Sequence, residues 1–216
     1  ELTASDNHKF SAYLAQPAEK PKAGLVILQE IFGVNTHIQQ VTDLFSKKGY
    51  LAIAPSLFDR EEKNVQLSYD EKGVSKGRKL KDLCDNEALK DIEASISLVA
   101  SAGKVGVIGY CWGGSLAWRI ACQSNHLSGS VSYYGGDIPN LKHYNPKCSF
   151  LSHFGELDQG IPIENVNIFK QFKPEVEVFT YPADHGFNCN YRKQYNEISS
   201  KVALDRTLKF LEKNLG

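Results

Sequence analysis

The sequence predicts an α/β protein built around a mostly parallel, doubly wound sheet. Short apolar or β-branched runs of strand length alternate along the chain with longer segments whose apolar residues recur at helical spacing. The chain has 216 residues, of which 42% are hydrophobic and 23% charged, and this is enough for one sizeable core. No repeat or low-complexity segment interrupts the alternation. We therefore expect a single domain over residues 1–216.

Seven segments have the length and composition of β-strands. In the first, Phe10, Ala12 and Leu14 alternate with polar residues, which is typical of an exposed strand at a sheet edge. The second is apolar throughout, which is typical of a central strand, and Pro55 is expected to stop the third. The predicted strands are residues 10–14, 24–28, 50–54, 104–108, 128–134, 148–154 and 176–181.

The segments between these strands carry helical periodicity. The apolar residues between positions 38 and 45 fall on one helix face, and Asn35 or Thr36 can cap that helix. Residues 56–85 are charged and irregular, so we expect them to pass over the top of the sheet. Further helices are expected within 66–83, at 89–99 with Asn86 as N-cap, and at 115–122, 166–172 and 195–215.

The composition of the chain argues against several classes of function. Twenty-five Lys and Arg balance twenty-five Asp and Glu, so no global charge favours nucleic acid or an anionic membrane. No apolar run reaches the roughly 18–20 residues of a membrane span, and the polar N-terminus lacks a signal-peptide core. Five widely spaced cysteines suit a reducing cytoplasm. We expect a soluble cytoplasmic monomer or small homo-oligomer that acts on a small molecule.

The stretch Gly109-Tyr110-Cys111-Trp112-Gly113 stands between a predicted strand and a predicted helix. This is the context of a G-x-nucleophile-x-G elbow, in which the central residue takes a strained conformation and exposes its side chain above the sheet. Cys111 is therefore a candidate nucleophile. The alternative is that Cys111 is a small buried residue that two glycines flank by chance.

A cysteine nucleophile needs a base and an acid that orients the base. Asp158 follows the strand at 148–154 and His185 follows the strand at 176–181, so both lie at strand ends on the edge that carries the elbow. Their order after Cys111 is nucleophile, acid, histidine. The chain has no CxxC or HExxH pattern, so we expect no metal and no cofactor. Three other acids also lie near strand ends, namely Asp137, Glu156 and Asp184.

The loop after the strand at 24–28 supplies further candidate catalytic groups. The backbone N–H groups of Ile31 and Trp112 can form an oxyanion hole. Glu30 would then lie beside the thiol, where a carboxylate disfavours the thiolate. Glu30 is thus either a structural acid at a strand end or a gate that holds the thiol protonated until substrate arrives.

Five motifs together resemble the dienelactone hydrolase family, also called carboxymethylenebutenolidases, and the resemblance runs from about residue 10 to the C-terminus. The motifs are Gln29-Glu30-Ile31-Phe32-Gly33-Val34-Asn35, Gly109-Tyr110-Cys111-Trp112-Gly113-Gly114, Tyr133-Tyr134-Gly135, Gly155-Glu156-Leu157-Asp158 and His185-Gly186-Phe187. The resemblance implies an α/β-hydrolase fold without a large lid, a Cys-His-Asp triad and hydrolysis of an enol-lactone or related ester through a thioester. It also implies the gating role for Glu30.

The substrate-binding residues are where the sequence departs from this family. Its best-known bacterial members hold a substrate carboxylate with two arginines, and here Cys189 falls where the second is expected. The region around residues 73–80 lacks the first arginine and its aromatic pair. Arg60, Arg78 and Arg192 are possible replacements. The predicted substrate-binding set is Phe32, Arg60, Tyr134, Phe187 and Arg192.

The sequence therefore predicts a cofactor-independent, cysteine-dependent hydrolase of small esters or enol-lactones. Two alternatives remain open at this point. One is a broader carboxylesterase or thioesterase on the same scaffold. The other is a non-catalytic binding or thiol-sensing protein in which Cys111 is merely reactive.

Overall fold

The computed structural model describes all residues, 1–216, and its elements follow the predicted alternation of strands and helices. The strands are β1 (Leu2–Thr3), β2 (Lys9–Phe10), β3 (Ala12–Ala15), β4 (Ala23–Leu28), β5 (Tyr50–Pro55), β6 (Val105–Tyr110), β7 (Gly129–Tyr133), β8 (Ser149–Gly155) and β9 (Glu177–Tyr181). The helices are α1 (Thr36–Lys47), α2 (Glu71–Cys84), α3 (Ala88–Val99), α4 (Trp112–Gln123), α5 (Ile163–Phe172) and α6 (Glu197–Leu215). Short 3-10 helices form at Leu57–Arg60, Ala100–Ala102 and Ile138–Leu141.

Seven strands form one sheet in the order β3-β5-β4-β6-β7-β8-β9. The edge strand β3 pairs antiparallel with β5, and every other pair in this sheet is parallel. Strands β1 and β2 form a separate antiparallel pair. The predicted mostly parallel α/β fold is confirmed. The predicted first strand is split into β2 and β3, of which β3 is the edge strand of the main sheet, whereas Phe10 in β2 is buried.

The middle of the sheet is buried on both faces. Every residue of β4, β5 and β6 is buried, as their apolar sequences require. Side chains of α1 and α6 belong to one buried apolar cluster, whereas those of α2 and α3 belong to a second. Helices of both groups therefore supply the cover that parallel strands need. None of the helices is long and apolar enough to cross a membrane.

Two helix starts test the capping predictions. Asn35 caps α1, with its side chain accepting a hydrogen bond from the N–H of Ile38 at 3.3 Å. The prediction for Asn86 is wrong, because Glu87 holds the N-cap position of α3 and makes no side-chain cap. The reason is that α2 runs on to Cys84, so only a tight turn joins the two helices. In that turn the N–H of Glu87 bonds to the Cys84 carbonyl at 3.2 Å.

Residues 56–85 pack against the loop that follows β4. An isolated antiparallel bridge pairs Gly33 with Gln66, and the N–H of Leu67 bonds to the Phe32 carbonyl at 2.9 Å. Helix α2 approaches so closely that a Cβ on Gly77 would lie 1.9 Å from the Ile31 carbonyl oxygen. Glycine at this position lets α2 lie directly against the loop that carries the predicted oxyanion-hole residue.

Candidate active site

Cys111 occupies the strained turn between β6 and α4. Its backbone has φ 55° and ψ −116°, which lies in the positive-φ region that residues other than glycine rarely adopt. A hydrogen bond from its N–H to the Tyr133 carbonyl, at 3.0 Å, holds the turn against β7. Stored strain of this kind persists only where the surroundings fix it, and it is typical of functional sites.

The two glycines of the elbow permit its close packing. A Cβ on Gly109 would lie 1.9 Å from the Gly113 carbonyl oxygen, and a Cβ on Gly113 would lie 2.5 Å from the Leu28 carbonyl oxygen. Any side chain at either position would force the strand and the helix apart. The glycines therefore let the elbow form, which does not support the interpretation that they flank Cys111 by chance.

His185 and Asp158 come together beside this elbow. Nδ1 of His185 lies 2.7 Å from Oδ2 of Asp158, and Asp158 is almost completely buried. The other carboxylate oxygen, Oδ1, accepts the N–H of Gly160 at 2.8 Å. Both oxygens of Asp158 are thus bonded, which fixes the carboxylate and, through it, the His185 ring.

Two of the three competing acids, Asp184 and Glu156, are directed elsewhere. Oδ1 of Asp184 accepts the backbone N–H of His185 at 2.6 Å, while Oε1 of Glu156 accepts the exposed hydroxyl of Thr180 at 2.7 Å. Neither carboxylate bonds to the histidine ring. The structure places Asp158, and not these neighbours, in the position from which the ring is oriented.

The charge state of His185 depends on Cys111. Burial alone would lower the pKa of His185, but the charge of Cys111 and the hydrogen bond to Asp158 outweigh it and raise the pKa to about 10. An imidazolium is therefore favoured for as long as the sulfur carries a negative charge. By contrast, His153 packs in β8 as an ordinary core residue, with a pKa that burial lowers to about 3.

The loop after β4 lies against the elbow. The N–H of Gly113 bonds to the Gln29 carbonyl at 3.1 Å, which joins the start of α4 to this loop. Ile31 and Trp112 both line the cleft beside Cys111, and neither of their N–H groups bonds to another backbone or side-chain group of the protein. Two unpaired donors beside a thiol are the arrangement that an oxyanion hole requires.

Glu30 is buried under the cleft and its carboxylate has two partners. Oε1 accepts a hydrogen bond from Nη1 of Arg192 at 3.0 Å, and Oε2 accepts the Tyr69 hydroxyl at 3.2 Å. Tyr69 in turn accepts a hydrogen bond from the Asn35 amide at 3.0 Å. Glu30 makes no hydrogen bond with Cys111, so the contact that a gate would need is not formed in this structure.

Cys111, His185 and Asp158 open onto one cleft of about 730 Å³. Its apolar wall includes Ile31, Phe32 and Val74, and its cationic groups are Arg78, Lys81 and Arg192. The remaining lining residues include the triad Cys111, Asp158 and His185 together with Asp82, Asp137 and Asp184. The Cys111 thiol, the His185 ring paired with Asp158 and three cationic side chains therefore face a single solvent-accessible space.

A family model described as the dienelactone hydrolase family matches residues 10–215. The chain belongs to the dienelactone hydrolase family. The family identity agrees with the fold, which is the α/β-hydrolase arrangement of a mostly parallel sheet with a strained elbow after a central strand.

Individual relatives span nearly the whole chain. A protein from Synechocystis sp., provisionally named a carboxymethylenebutenolidase, is 32% identical over 233 residues, which covers 98% of this chain and 94% of the relative. The carboxymethylenebutenolidase of Pseudomonas putida is 32% identical over 227 residues, or 97% and 94% of the two chains. A crystal structure from Klebsiella pneumoniae, provisionally assigned as a dienelactone hydrolase, is 26% identical with a TM-score of 0.81 over 98% and 97% of the chains.

In this dienelactone hydrolase family member, the predicted substrate-binding residues divide into three groups. Phe32 and Arg192 line the cleft. Tyr134 and Phe187 are fully buried and do not line it, although the Tyr134 ring packs 5.0 Å from that of His185. Phe187 in turn packs against the Tyr134 ring at 5.5 Å, so neither side chain is placed to bind substrate in the cleft.

Arg60 is not brought to the cleft. Its guanidinium lies 2.7 Å from the buried carboxylate of Asp91 and 2.9 Å from that of Asp6. It therefore joins the N-terminal segment to α3 as a structural ion pair, and the prediction that it binds substrate is not supported. The reason is that Arg60 ends a short 3-10 helix that packs beside β2 rather than above the elbow.

Three residues of the site were missed or ranked too low by sequence reasoning. Arg78 and Lys81 line the cleft from α2, and Tyr69 holds Glu30. From the sequence, Arg78 is a possible replacement for a family arginine, but it is not in the predicted substrate-binding set. The spacing of Val74, Arg78 and Lys81 on one face of a helix is the signal in the sequence. That signal becomes specific only once α2 is placed against the loop after β4.

Proposed function

We propose that this protein is a cysteine-dependent hydrolase of small carboxylic esters or enol-lactones that acts through a covalent thioester on Cys111. The observation that carries the proposal is the meeting of Cys111, His185 and Asp158 at one cleft from the ends of β6, β9 and β8. The 2.7 Å contact between His185 and Asp158 supports a base with a fixed orientation.

In the first half of the reaction the Cys111 sulfur attacks the ester carbonyl. The developing oxyanion is held by the N–H groups of Ile31 and Trp112, which have no other partner among the protein's own groups. His185 gives its proton to the departing alkoxide or enolate oxygen. For an open ester, the products of this half are a thioester on Cys111 and a released alcohol or enol. For a lactone nothing is released, because the freed hydroxyl or enol stays on the acyl chain that Cys111 holds as a thioester.

Acylation also prepares His185 for the second half. The negative charge of Cys111 is one of the causes that raise the pKa of His185, and this charge disappears when the thioester forms. The pKa of the ring therefore falls, and the neutral imidazole takes a proton from water as it attacks the thioester. The freed thiolate and the reprotonated ring restore the starting pair.

Arg192, Arg78 and Lys81 favour a substrate with a carboxylate or similar anionic group. Glu30 acts in this scheme as a positioning residue, because its carboxylate holds the Arg192 guanidinium at the cleft wall. Phe32 and Tyr69 flank the same guanidinium at 5.8 and 5.9 Å from their ring centres. An anionic substrate would share Arg192 with Glu30, which explains how one arginine can serve a site that lacks the family pair.

A substrate panel tests the proposal. We expect the wild type to hydrolyse an enol-lactone with a carboxylate faster than neutral short-chain esters, and Cys111→Ala to lose at least about a thousandfold in kcat/KM. Cys122→Ala, which changes a cysteine that does not line the cleft, is the matched control and should keep its activity. Equal turnover by Cys111→Ala and wild type would exclude the cysteine mechanism, and preference for neutral esters would favour a broad esterase.

A further inference from the structure

Behind the cleft, three metal-ligating side chains meet in the protein interior. One ligand atom each from Glu30, His37 and Cys189 lies within 4.8 Å of the other two. They come from three separate segments, namely the end of β4, the first turn of α1 and the loop that follows β9. Their relative exposures are 1%, 4% and 0%, so the cluster is interior and not a chance grouping on the surface.

His37 supplies an independent sign that this cluster has a ligand. Its Nε2 is buried and has no hydrogen-bond partner in the protein. An unpaired polar atom in the interior costs free energy, and such atoms call for a specific explanation. Beside a carboxylate and a thiol, a bound cation is an explanation that uses all three groups at once.

We propose that Glu30, His37 and Cys189 form a binding site for a divalent cation of the zinc type. Imidazole, thiolate and carboxylate together suit zinc and cobalt, whereas magnesium and calcium prefer oxygen ligands alone. Three protein ligands leave one position of a tetrahedral site for water. Binding converts the Cys189 thiol to a thiolate and releases one proton to solvent.

The separation of the three ligand atoms allows them to close around an ion with small side-chain movements. Zinc lies about 2.0–2.3 Å from its ligands, so ligand atoms in a tetrahedral site are roughly 3.3–3.8 Å apart. The cluster therefore needs side-chain shifts on the order of 1 Å to close around an ion. The main competitor is Arg192, which donates to Oε1 of Glu30 at 3.0 Å. A bound cation would replace this positive charge at Glu30 and release the guanidinium.

A second pocket, separate from the cleft that holds Cys111, reaches the cluster at His37. It has a volume of about 190 Å³, and its lining includes His37 together with Asn188 and Asn190, the residues on either side of Cys189. None of its lining residues also lines the cleft that holds the triad. Of the three proposed ligands only His37 lines this pocket, so an ion entering here would meet His37 first.

Cobalt and zinc binding to the full-length protein test the proposal without any substrate. We expect wild type to bind one Co²⁺ with a thiolate-to-cobalt charge-transfer absorption, and Zn²⁺ to displace it. Cys111→Ala should behave as wild type, because its thiol lies outside the cluster. Cys189→Ser should lose the absorption and bind at least about tenfold more weakly, and His37→Gln should weaken binding without abolishing the thiolate signal.

Folding of each variant is checked by circular dichroism and thermal unfolding before binding is measured. The proposal is overturned if wild type binds no ion, if Cys189→Ser keeps the charge-transfer absorption, or if Cys111→Ala loses it. The last result would assign the ion to the catalytic thiol instead.

Inhibition of ester hydrolysis by zinc gives a second test of the cation site, and this test rests on the proposed function. Because the ion removes Glu30 from Arg192, saturating Zn²⁺ should lower turnover of an anionic ester at least about tenfold in wild type. The same concentration should have little effect on Cys189→Ser. Equal inhibition of the two proteins would place the inhibitory ion at Cys111 and His185 and would contradict the proposed site. Failure of hydrolysis itself would leave the cobalt result unaffected, so the two proposals are tested separately.

Discussion

Arg192 donates a hydrogen bond to Glu30 at 3.0 Å in the wall of the cleft that contains Cys111. In the sequence, Cys189 stands where the family resemblance leads one to expect an arginine, and Arg192 follows three residues later. The loop after β9 brings this later arginine back to the cleft. The structure thus places a cation in the same cleft as Cys111, from a different position in the sequence.

Replacing this arginine should impair binding of anionic substrates. We expect Arg192→Met to raise KM for a carboxylate-bearing ester about ten- to hundredfold, because a hydrogen bond to a charged group is worth roughly 1.5–3 kcal/mol. The kcat value and the hydrolysis of neutral esters should change much less. Steady-state kinetics with a charged and an uncharged ester of equal size measure the difference.

Arg206→Met is the matched control for this change. Like Arg192, Arg206 lies over aromatic rings, but it bonds to the Tyr181 hydroxyl and does not line the cleft. Because Arg192→Met leaves Glu30 buried without its cation, the double variant Arg192→Met with Glu30→Gln should recover stability and keep the high KM. An unchanged KM in both would show that the guanidinium does not contact substrate.

Glu30→Gln distinguishes a positioning role from a gate. The Glu30 carboxylate is neutralised by Arg192 and makes no hydrogen bond with Cys111. We therefore expect the rate of Cys111 alkylation by iodoacetamide to stay within about threefold of wild type. Labelling is followed by mass spectrometry of the intact protein. A rise of tenfold or more would show that Glu30 restrains the thiol, as the family resemblance implies.

Removing the Cys111 charge should lower the pKa of His185. In wild type the pKa of His185 is raised to about 10. Burial lowers this pKa, and the negative charge of Cys111 is a leading cause of the net rise. The ring therefore keeps its proton until the pH rises to about 10, whereas Cys111→Ala should lose it at least about one pH unit lower. A titration of the imidazole resonances by nuclear magnetic resonance gives both values. Identical titrations would refute the coupling on which the second half-reaction depends.

Tyr134 and Tyr133 form a natural pair for a stability test. The Tyr134 hydroxyl is buried without a hydrogen-bond partner, whereas that of Tyr133 lies 2.7 Å from the Thr207 hydroxyl. We expect Tyr134→Phe to stabilise the protein by about 1 kcal/mol and Tyr133→Phe to destabilise it by about the same amount. Urea unfolding at neutral pH measures both.

The activity of Tyr134→Phe should stay close to wild type, because the ring that packs on His185 is retained. A large loss of kcat would mean that the Tyr134 hydroxyl touches the reacting atoms. That outcome would restore the original prediction that Tyr134 binds substrate.

The elbow and the histidine pairing could be predicted from sequence because both depend on the topology of a parallel sheet. Strands that run the same way place their following loops at one edge, so Cys111, Asp158 and His185 had to lie near one another. Gly109 and Gly113 also predict the tight turn directly from the local sequence, since the turn cannot form with larger residues at these positions.

The substrate side of the cleft could not be predicted in the same way. Three of its residues, Val74, Arg78 and Lys81, lie between β5 and α3, where the path of the chain is set by packing and not by a repeating pattern. Arg60 and Arg78 have similar polar surroundings in sequence, yet one pairs with Asp91 and the other lines the cleft. The cluster of His37 and Cys189 was missed for a related reason, because its members are distant in sequence and match no local metal motif.

Acid-quenched turnover tests the central claim most directly. Wild-type protein is mixed with excess ester, quenched in acid during the steady state and digested, and its peptides are analysed by mass spectrometry. We predict that the acyl group of the substrate is found on the peptide containing Cys111 as a thioester, with none on the other four cysteines. Rapid turnover with Cys111 unmodified throughout, or with the acyl group on another residue, would contradict the account.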